Sequence, residues 1–462
     1  MKRLAVVGGN AAGMSAAAVA RRRDPSLDVL VLERGVHASY SSCGIPYLVG
    51  GTVGGADRLI ARSPEDLRRA GIDVRTGCEV TRIDLRGRTL TYRDGGARTE
   101  RREGFDELVY ATGAVAIAPP VPGAESVEAV RTLDAAERLV ARLTRARGRT
   151  AVVIGAGYLG LEMAEALASR GLEVALVDRE RQVMSSLDAD MAGHVQAAAE
   201  GAGIRVMLGV DVREIAGGPD GGPRVVRTTA DDLHADHVVV STGARPATEL
   251  AAAAGLELGR TGGLRVDDHQ RCAGHEGVYA AGDCAESRHR LLPHPVNVQL
   301  GTHANKQGRV AGTNATGGDV AFPGVIGTAI SRICRHEVAR TGLSETEAAA
   351  VDLPVVAATI EDSTRARYYP GAGPIWVKVV AHAETGRLLG GQIVGVEGAA
   401  KRIDVLATAV WTGMSAGELE LIDLGYAPPF AGVYDPLLIA ARQAAHRVRA
   451  PAPRTAPRRT RD

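Results

Sequence analysis

Aromatic side chains are scarce in this chain. Its 462 residues include 2 Trp, 3 Phe and 10 Tyr, about 3% in all, so its cores must be largely aliphatic. Cysteine is almost as sparse. Cys43, Cys78, Cys272, Cys284 and Cys334 are scattered and odd in number, which excludes a disulfide scaffold and points to a reducing compartment, the cytoplasm. No apolar run reaches the ~18 residues of a membrane-crossing helix. Nor is there an excess of either charge. With 55 Lys and Arg against 54 Asp and Glu, the net charge is +1, and no global field favours nucleic acid or a membrane surface. Cysteine and histidine show no metal-ligand spacing; His294 and His303 read as structural or surface residues, and no metal is expected.

What remains is ordinary globular composition, 45% apolar and 24% charged, in a chain long enough for about three domains. The start could be mistaken for a leader, because Lys2-Arg3 precedes apolar residues and Ser15-Ala-Ala-Ala-Val-Ala20 resembles a cleavage site. Glycines at 8, 9 and 13 instead sit where a strand-to-helix turn needs them, and removing the segment would delete the first strand.

Leu4-Ala-Val-Val7 has the apolar pattern of a buried parallel strand. Gly8-Gly-Asn-Ala-Ala-Gly13 follows, then an alanine-rich helix to about Arg23, then Val29-Leu-Val-Leu32 ended by Glu33. Strand, glycine turn, helix, strand and acid are the start of a dinucleotide fold, with Asn10 replacing the middle glycine. Glycines at a helix N-terminus let backbone N–H groups approach a pyrophosphate. Arg21-Arg-Arg23 reads either as a solvated helix end favoured by the dipole or as a phosphate clamp. Short strands follow at 74–80 and 89–92, an apolar strand enters the turn Ala111-Thr-Gly113, and Pro119-Pro-Val-Pro-Gly123 reads as a linker.

The pattern then repeats with all three glycines. Ala151-Val-Val-Ile154 enters Gly155-Ala-Gly-Tyr-Leu-Gly160, a helix runs through Arg170, and Val174-Ala-Leu-Val177 ends at Asp178, near the expected spacing of about 20 residues from the turn. Asp178 would bind a 2′-hydroxyl and repel a 2′-phosphate, favouring NADH, although the adjacent Arg179 weakens that preference. Val238-Val-Val-Ser-Thr-Gly243 echoes 108–113, and Gly277-Val-Tyr-Ala-Ala-Gly-Asp283 is a strand entering a Gly-Asp turn. Two such units imply two nucleotides. Residues beyond 322 lack a glycine phosphate turn and mix strands (375–380, 388–396) with a helix over 403–412.

Between the first unit and its next strands lies Ser39-Tyr-Ser-Ser-Cys43-Gly-Ile-Pro-Tyr47, with Leu48 five residues after the cysteine. Further motifs are Ala304-Asn-Lys-Gln-Gly-Arg309, Tyr368-Tyr-Pro-Gly371, Lys401-Arg-Ile-Asp-Val-Leu406 and Tyr426-Ala-Pro-Pro-Phe430. Over about 1–446 the chain resembles the FAD-dependent pyridine nucleotide-disulfide oxidoreductases. It looks most like their single-cysteine branch of coenzyme A disulfide reductases, with NADH oxidases and peroxidases as neighbours. The two-cysteine C-x₄-C pair and a C-terminal His-Pro pair are absent; Tyr40 and Ser42 stand where relatives often carry Phe and Asn, and no rhodanese domain follows.

The resemblance implies an α/β protein with two Rossmann-like domains and a C-terminal α+β dimerisation domain. FAD would occupy 1–118 with 247–321, NAD(P)H 119–246, and the interface 322–446; 447–462 reads as a disordered basic tail. By the same resemblance FAD would meet Gly8, Asn10, Ala11, Ala12, Gly13, Glu33, Arg34, Ser42, Val80, Thr112, Gly113, Asp283 and Ala304. NADH, or alternatively NADPH, would meet Gly155, Gly157, Tyr158, Leu159, Gly160, Glu162, Asp178 and Gly243. Arg21, Arg22 and Ser39 would bind coenzyme A as substrate or as mixed disulfide on Cys43, with Tyr368 and Tyr426 supplied across a homodimer. A helix starting near Cys43 would lower its pKa. The competing expectations are an NADH oxidase cycling Cys43 through sulfenic acid, a persulfide reductase, and an electron-transfer flavoprotein docking a ferredoxin-like partner without need of the cysteine.

Overall fold

The computed structural model describes residues 1–95, 99–127, 129–145, 148–217 and 224–448. The chain divides into two units, Met1–Ser185 with Gln196–Val325, and Ser186–Val195 with Ile326–Asp462.

The first unit begins with β1 (Arg3–Val7), α1 (Ala11–Arg23) and β2 (Asp28–Leu32), followed by α2 (Ile45–Val49), β3 (Ile72–Arg75) and β4 (Glu107–Tyr110). A second series comprises β5 (Thr150–Ile154), α3 (Tyr158–Ser169), β6 (Glu173–Asp178), β7 (Arg205–Leu208) and β8 (His237–Val240). The chain then returns with β9 (Val278–Ala280) and α4 (Gly301–Asn314). The first sheet is parallel, in the order β9-β4-β1-β2-β3, and the second, also parallel, runs β7-β6-β5-β8. After their first residues β1 and β5 are buried, at Leu4–Val7 and Ala151–Ile154, as continuous apolar runs in a parallel sheet require. The expected strand over 74–80 is instead two strands, β3 and Cys78–Asp84, broken at Gly77, whose φ is +67°.

The alanines of α1 serve close packing. α4 crosses α1 so tightly that a Cβ on Gly308 would lie 2.2 Å from the Ala12 carbonyl oxygen, and one on Gly312 2.3 Å from that of Ala16. Only glycine permits this approach. It brings α4 beside the turn between β1 and α1.

The second unit is a five-stranded antiparallel sheet of β10 (Ala329–Ile333), β11 (His336–Gly342), β12 (Val355–Ser363), β13 (Pro374–His382) and β14 (Leu388–Gly395), ordered β10-β11-β14-β13-β12. α5 (Ile403–Thr412) and α6 (Pro436–Arg447) belong to it as well. The Lys378 ammonium, 4% exposed, meets Asp188 at 3.1 Å, Asp190 at 2.9 Å and Glu345, pinning the 186–195 segment to β13. His194 of that segment stacks on Trp376 with ring centroids 3.8 Å apart. Of the expected tail, residues 447 and 448 lie among the described residues. Arg447 closes α6 and its guanidinium donates to the Ala357 carbonyl, while 449–462 lie outside the described residues. No helix among the described residues is long and apolar enough to cross a membrane.

Candidate active site

Both glycine turns are sterically forced. Gly8 has φ +105°, and a Cβ there would lie 2.2 Å from the Ala111 carbonyl oxygen; a Cβ on Gly13 would lie 1.9 Å from that of Gly8. In the second turn Gly155 has φ +104° with its Cβ position 2.3 Å from the Ser241 oxygen, and the Cβ position of Gly160 is 1.8 Å from the Gly155 oxygen. Gly157 differs, since nothing lies within 4 Å of a Cβ built on it. Glycine there is not demanded by the protein, and the space above the helix N-terminus is open to a pyrophosphate.

Each turn is closed by its acid. Glu33 Oε2 accepts from the Gly9 N–H at 2.6 Å and Oε1 from Gly35 at 2.6 Å. Asp178 repeats this, with Oδ2 accepting from Ala156 at 2.5 Å and Oδ1 from Glu180 at 2.9 Å. Thr112 Oγ1 donates to the Ala247 carbonyl at 2.7 Å, and Gly113 and Gly243 both take positive φ. Arg34 is exposed, Val80 packs partly buried against the core of the first sheet, and Tyr158, Leu159 and Glu162 occupy the first turns of α3.

The Gly-Asp turn faces the first glycine turn from the other side. A Cβ on Gly282 would lie 2.9 Å from that of Ala12 and 3.5 Å from that of Ala304. Burial pushes the Asp283 carboxyl up, and Arg131, 3.7 Å away, acts against that shift. The Asp283 carboxylate is thus an acceptor beside a cation, suited to receive sugar hydroxyls. Sequence reasoning missed the residues that hold this turn. The Gln307 Oε1 accepts from the Gly282 N–H at 2.7 Å, and Asn297 Nδ2 donates to the carbonyls of Asp283 at 2.9 Å and Ala285 at 3.0 Å. Buried polar side chains in helix and loop carry no local motif; the only signal was amides where apolar residues would ordinarily pack.

Cys43 lies in a short 3₁₀ turn, Ser42–Gly44, that leads into α2. The residue is exposed. Partial desolvation by surrounding protein, then the carboxylates of Glu162 and Asp283, push its thiol up. The expectation of a dipole-lowered pKa is therefore corrected: α2 is only 5 residues long, and two nearby anions oppose it. The loop is held at Ser39, which has φ +53° and donates its N–H to the Gly9 carbonyl at 2.8 Å. At its far end the Arg170 guanidinium, just beyond α3, donates to the Val49 carbonyl. Cys78, Cys272 and Cys284 are buried, the last two pushed by burial to about 12 and about 11.

Arg21 and Arg22 part company. The Arg21 guanidinium donates to the carbonyls of Pro25 and Leu27, closing the end of α1. Arg22 is exposed and has no partner among the described residues. Tyr368 and Tyr426 belong to the second unit, 77% and 48% exposed. Their phenols are hydrogen-bonded to each other, which pushes Tyr368 up. One surface turn, Asp267, Asp268 and His269, gathers ligand-type atoms within 4.8 Å. Its groups are engaged internally, His269 pairing with Asp268 at 2.7 Å and Asp319 at 3.0 Å.

Two dinucleotide turns, with an exposed thiol acted on by Glu162 from the helix of the second and by Asp283 from the turn facing the first, define a nucleotide-dependent redox enzyme. The chain belongs to the pyridine nucleotide-disulphide oxidoreductases, NAD(P)H-dependent flavoproteins: that family's profile matches residues 2–308 and its dimerisation-domain profile residues 328–436. The NAD(P)H coenzyme A polysulfide/persulfide reductase of Pyrococcus horikoshii is 38% identical over 96% of this chain and 98% of its own. An NADH oxidase of Methanocaldococcus jannaschii is 34% identical over 96% and 98%. The crystal structure of reduced CoADR-RHD from Bacillus anthracis matches with a TM-score of 0.92 at 30% identity, over 97% of this chain and 80% of that one.

Proposed function

We propose that this protein reduces a low-molecular-weight disulfide, coenzyme A disulfide first, at the expense of NADH and through Cys43 alone. One observation carries the reading. The Cys43 thiol is within electrostatic reach of Glu162, on the helix of the second glycine turn, and of Asp283, at the turn facing the first. A sulfur so situated can exchange electrons with a flavin held by residues 1–118 and 247–321 and supplied by NADH held within 119–246.

When bound, FAD supplies the two-electron relay between nicotinamide and sulfur. Gly8, Asn10, Ala11, Ala12 and Gly13 would hold its pyrophosphate, Glu33 its ribose, and Asp283 with Ala304 the part beside the Gly-Asp turn. Gly155, Gly157, Leu159 and Gly160 hold the nicotinamide dinucleotide, and Asp178 its ribose. Tyr158 would cover the nicotinamide pocket when it is empty, and Glu162 would orient the nicotinamide when it is bound. Cys43, once deprotonated, attacks one sulfur of the disulfide. The S–S bond breaks, a coenzyme A thiolate leaves, and a mixed disulfide forms on Cys43. Two-electron reduction of that bond returns the Cys43 thiolate and a second thiolate, which takes a proton to become coenzyme A. The partner subunit's Tyr368 and Tyr426 stand as proton donors, a role supported by their exposure on a dimerisation domain. Arg22 and Ser39 receive the phosphates and the pantetheine arm. Free, scattered thiols suit a cytoplasmic enzyme.

A second reading, persulfide or polysulfide reduction by the same cysteine, is favoured by the name of the relative from Pyrococcus horikoshii. The test is NADH turnover with coenzyme A disulfide, with polysulfide and with air alone. The proposal expects the highest kcat/KM with coenzyme A disulfide, falling to background in Cys43→Ser while NADH still bleaches the flavin. Turnover of coenzyme A disulfide that survives Cys43→Ser overturns it.

A further inference from the structure

The middle position of the first glycine turn holds Asn10 rather than glycine. Its backbone does not require glycine, since φ is −114° and ψ is −153°, extended values open to any residue. Asparagine at the start of a helix normally caps it, its side chain accepting from a backbone N–H in the first turn. Asn10 does not: α1 receives no side-chain cap bond. Both ends of its amide point across to the cysteine loop. Oδ1 accepts from the Tyr40 N–H at 3.2 Å, and Nδ2 donates to Ser42 Oγ at 3.0 Å. Ser42, which immediately precedes Cys43, is in turn hydrogen-bonded to the Tyr40 side chain.

With the Gly9 carbonyl accepting from Ser39 at 2.8 Å, three hydrogen bonds run from the phosphate turn to residues 39, 40 and 42. This helix therefore gives up a side-chain cap, and the amide is used instead to fix the loop that presents the sulfur. Ser39 sits there in the left-handed region at φ +53°, a conformation a non-glycine residue holds only where its surroundings enforce it.

We propose that Asn10 is a positioning residue for Cys43, transmitting the geometry of the flavin phosphate turn to the thiol through Ser42 and Tyr40. The inference rests on the reading of Cys43 as the reactive group only for its importance; the tether itself is tested by the chemistry of the sulfur. The titratable groups that act on that sulfur are Glu162 and Asp283, and the Tyr40 phenol, itself facing Glu33 and Asp134, is bonded to the neighbouring Ser42. None is altered by a change at position 10.

The experiment uses the flavin-loaded full chain and follows alkylation of Cys43 by iodoacetamide from pH 6 to 10, read by peptide mass. Asn10→Gly installs the residue the glycine fingerprint ordinarily carries and removes the amide. Asn10→Asp keeps the acceptor for Tyr40 and loses the donor to Ser42. Loss of one neutral hydrogen bond corresponds to about a five-fold change, so Asn10→Gly is expected to change the alkylation rate by at least that factor and to shift its pH midpoint. Asn10→Asp is expected to shift the midpoint upward, because its new charge opposes thiolate. Wild-type rates and midpoints in both variants overturn the proposal. If the variants bind flavin more weakly, alkylation is followed at saturating added FAD, and wild-type rates and midpoints there also overturn the proposal. Turnover of Cys43→Ser judges the functional reading separately and leaves this outcome unchanged.

Discussion

Arg131 places its guanidinium 3.7 Å from the Asp283 carboxylate, across the turn that faces the first phosphate site. Burial pushes that carboxyl up and Arg131 works to keep it ionised. Removing the cation in Arg131→Met leaves a weaker acceptor for flavin hydroxyls. Titration of flavin-free protein with FAD should show affinity reduced by up to about five-fold, the upper range for a partly exposed ion pair. Unchanged affinity would remove Asp283 from the flavin site.

The same carboxylate and Glu162 both oppose a thiolate at Cys43. Glu162→Gln removes one of the two like charges, so the Cys43 midpoint should fall and the thiol should alkylate several-fold faster at neutral pH. Stopped alkylation followed by peptide mass measures this. A rate equal to that of the parent would mean that Glu162 does not act on the sulfur.

Asp178 holds the Ala156 and Glu180 N–H groups with Arg179 beside it, loosely paired to Glu180 at 3.6 Å. Asp178→Ser takes away the repulsion toward a 2′-phosphate and leaves Arg179 to receive it. Steady-state kinetics should show kcat/KM for NADPH rising and that for NADH falling, each by roughly ten-fold. A fall for both would show that the acid matters for the turn rather than for the choice of nucleotide.

Lys378 is the buried centre of a cluster of carboxylates in the second unit. Burial opposes its charge, but Glu345, Asp190 and Asp188 outweigh that and push it up to about 12. A group raised in the folded state stabilises below its unfolded value of 10.5 and loses that contribution as pH rises through about 12. Asp190 runs the other way. Its burial is outweighed by Lys378, its carboxyl is held down, and its contribution is lost as pH falls below the carboxylate range. Lys378→Met strands Asp188 at 5% exposure and should destabilise the unit by about 3–5 kcal/mol. Asp190→Asn, at a site 46% exposed, should cost under about 1 kcal/mol. Calorimetry of the full chain distinguishes them.

The parts legible in the sequence were those with a local physical signature. Gly8, Gly13, Gly155 and Gly160 are demanded by backbone contacts shorter than a Cβ permits, and the acids at 33 and 178 end strands that feed those turns. The α5 boundaries, Ile403–Thr412, match the expected helix. Long-range relations were not legible. Nothing near Arg21 tells that its guanidinium turns back to close its own helix, and nothing near Asn297 or Gln307 tells that they hold a turn elsewhere in the chain. The pKa of Cys43 was misjudged for the same reason: the dipole of the following helix can be read locally, whereas Glu162 arrives from a helix more than a hundred residues on.

The most direct measurement is the intact mass of the oxidised protein after exposure to coenzyme A disulfide, without added thiol. One coenzyme A moiety should be gained on the peptide that carries Cys43 and lost again on adding NADH. No adduct, or an adduct confined to Cys78, Cys272, Cys284 or Cys334, would contradict a single-sulfur redox centre at Cys43.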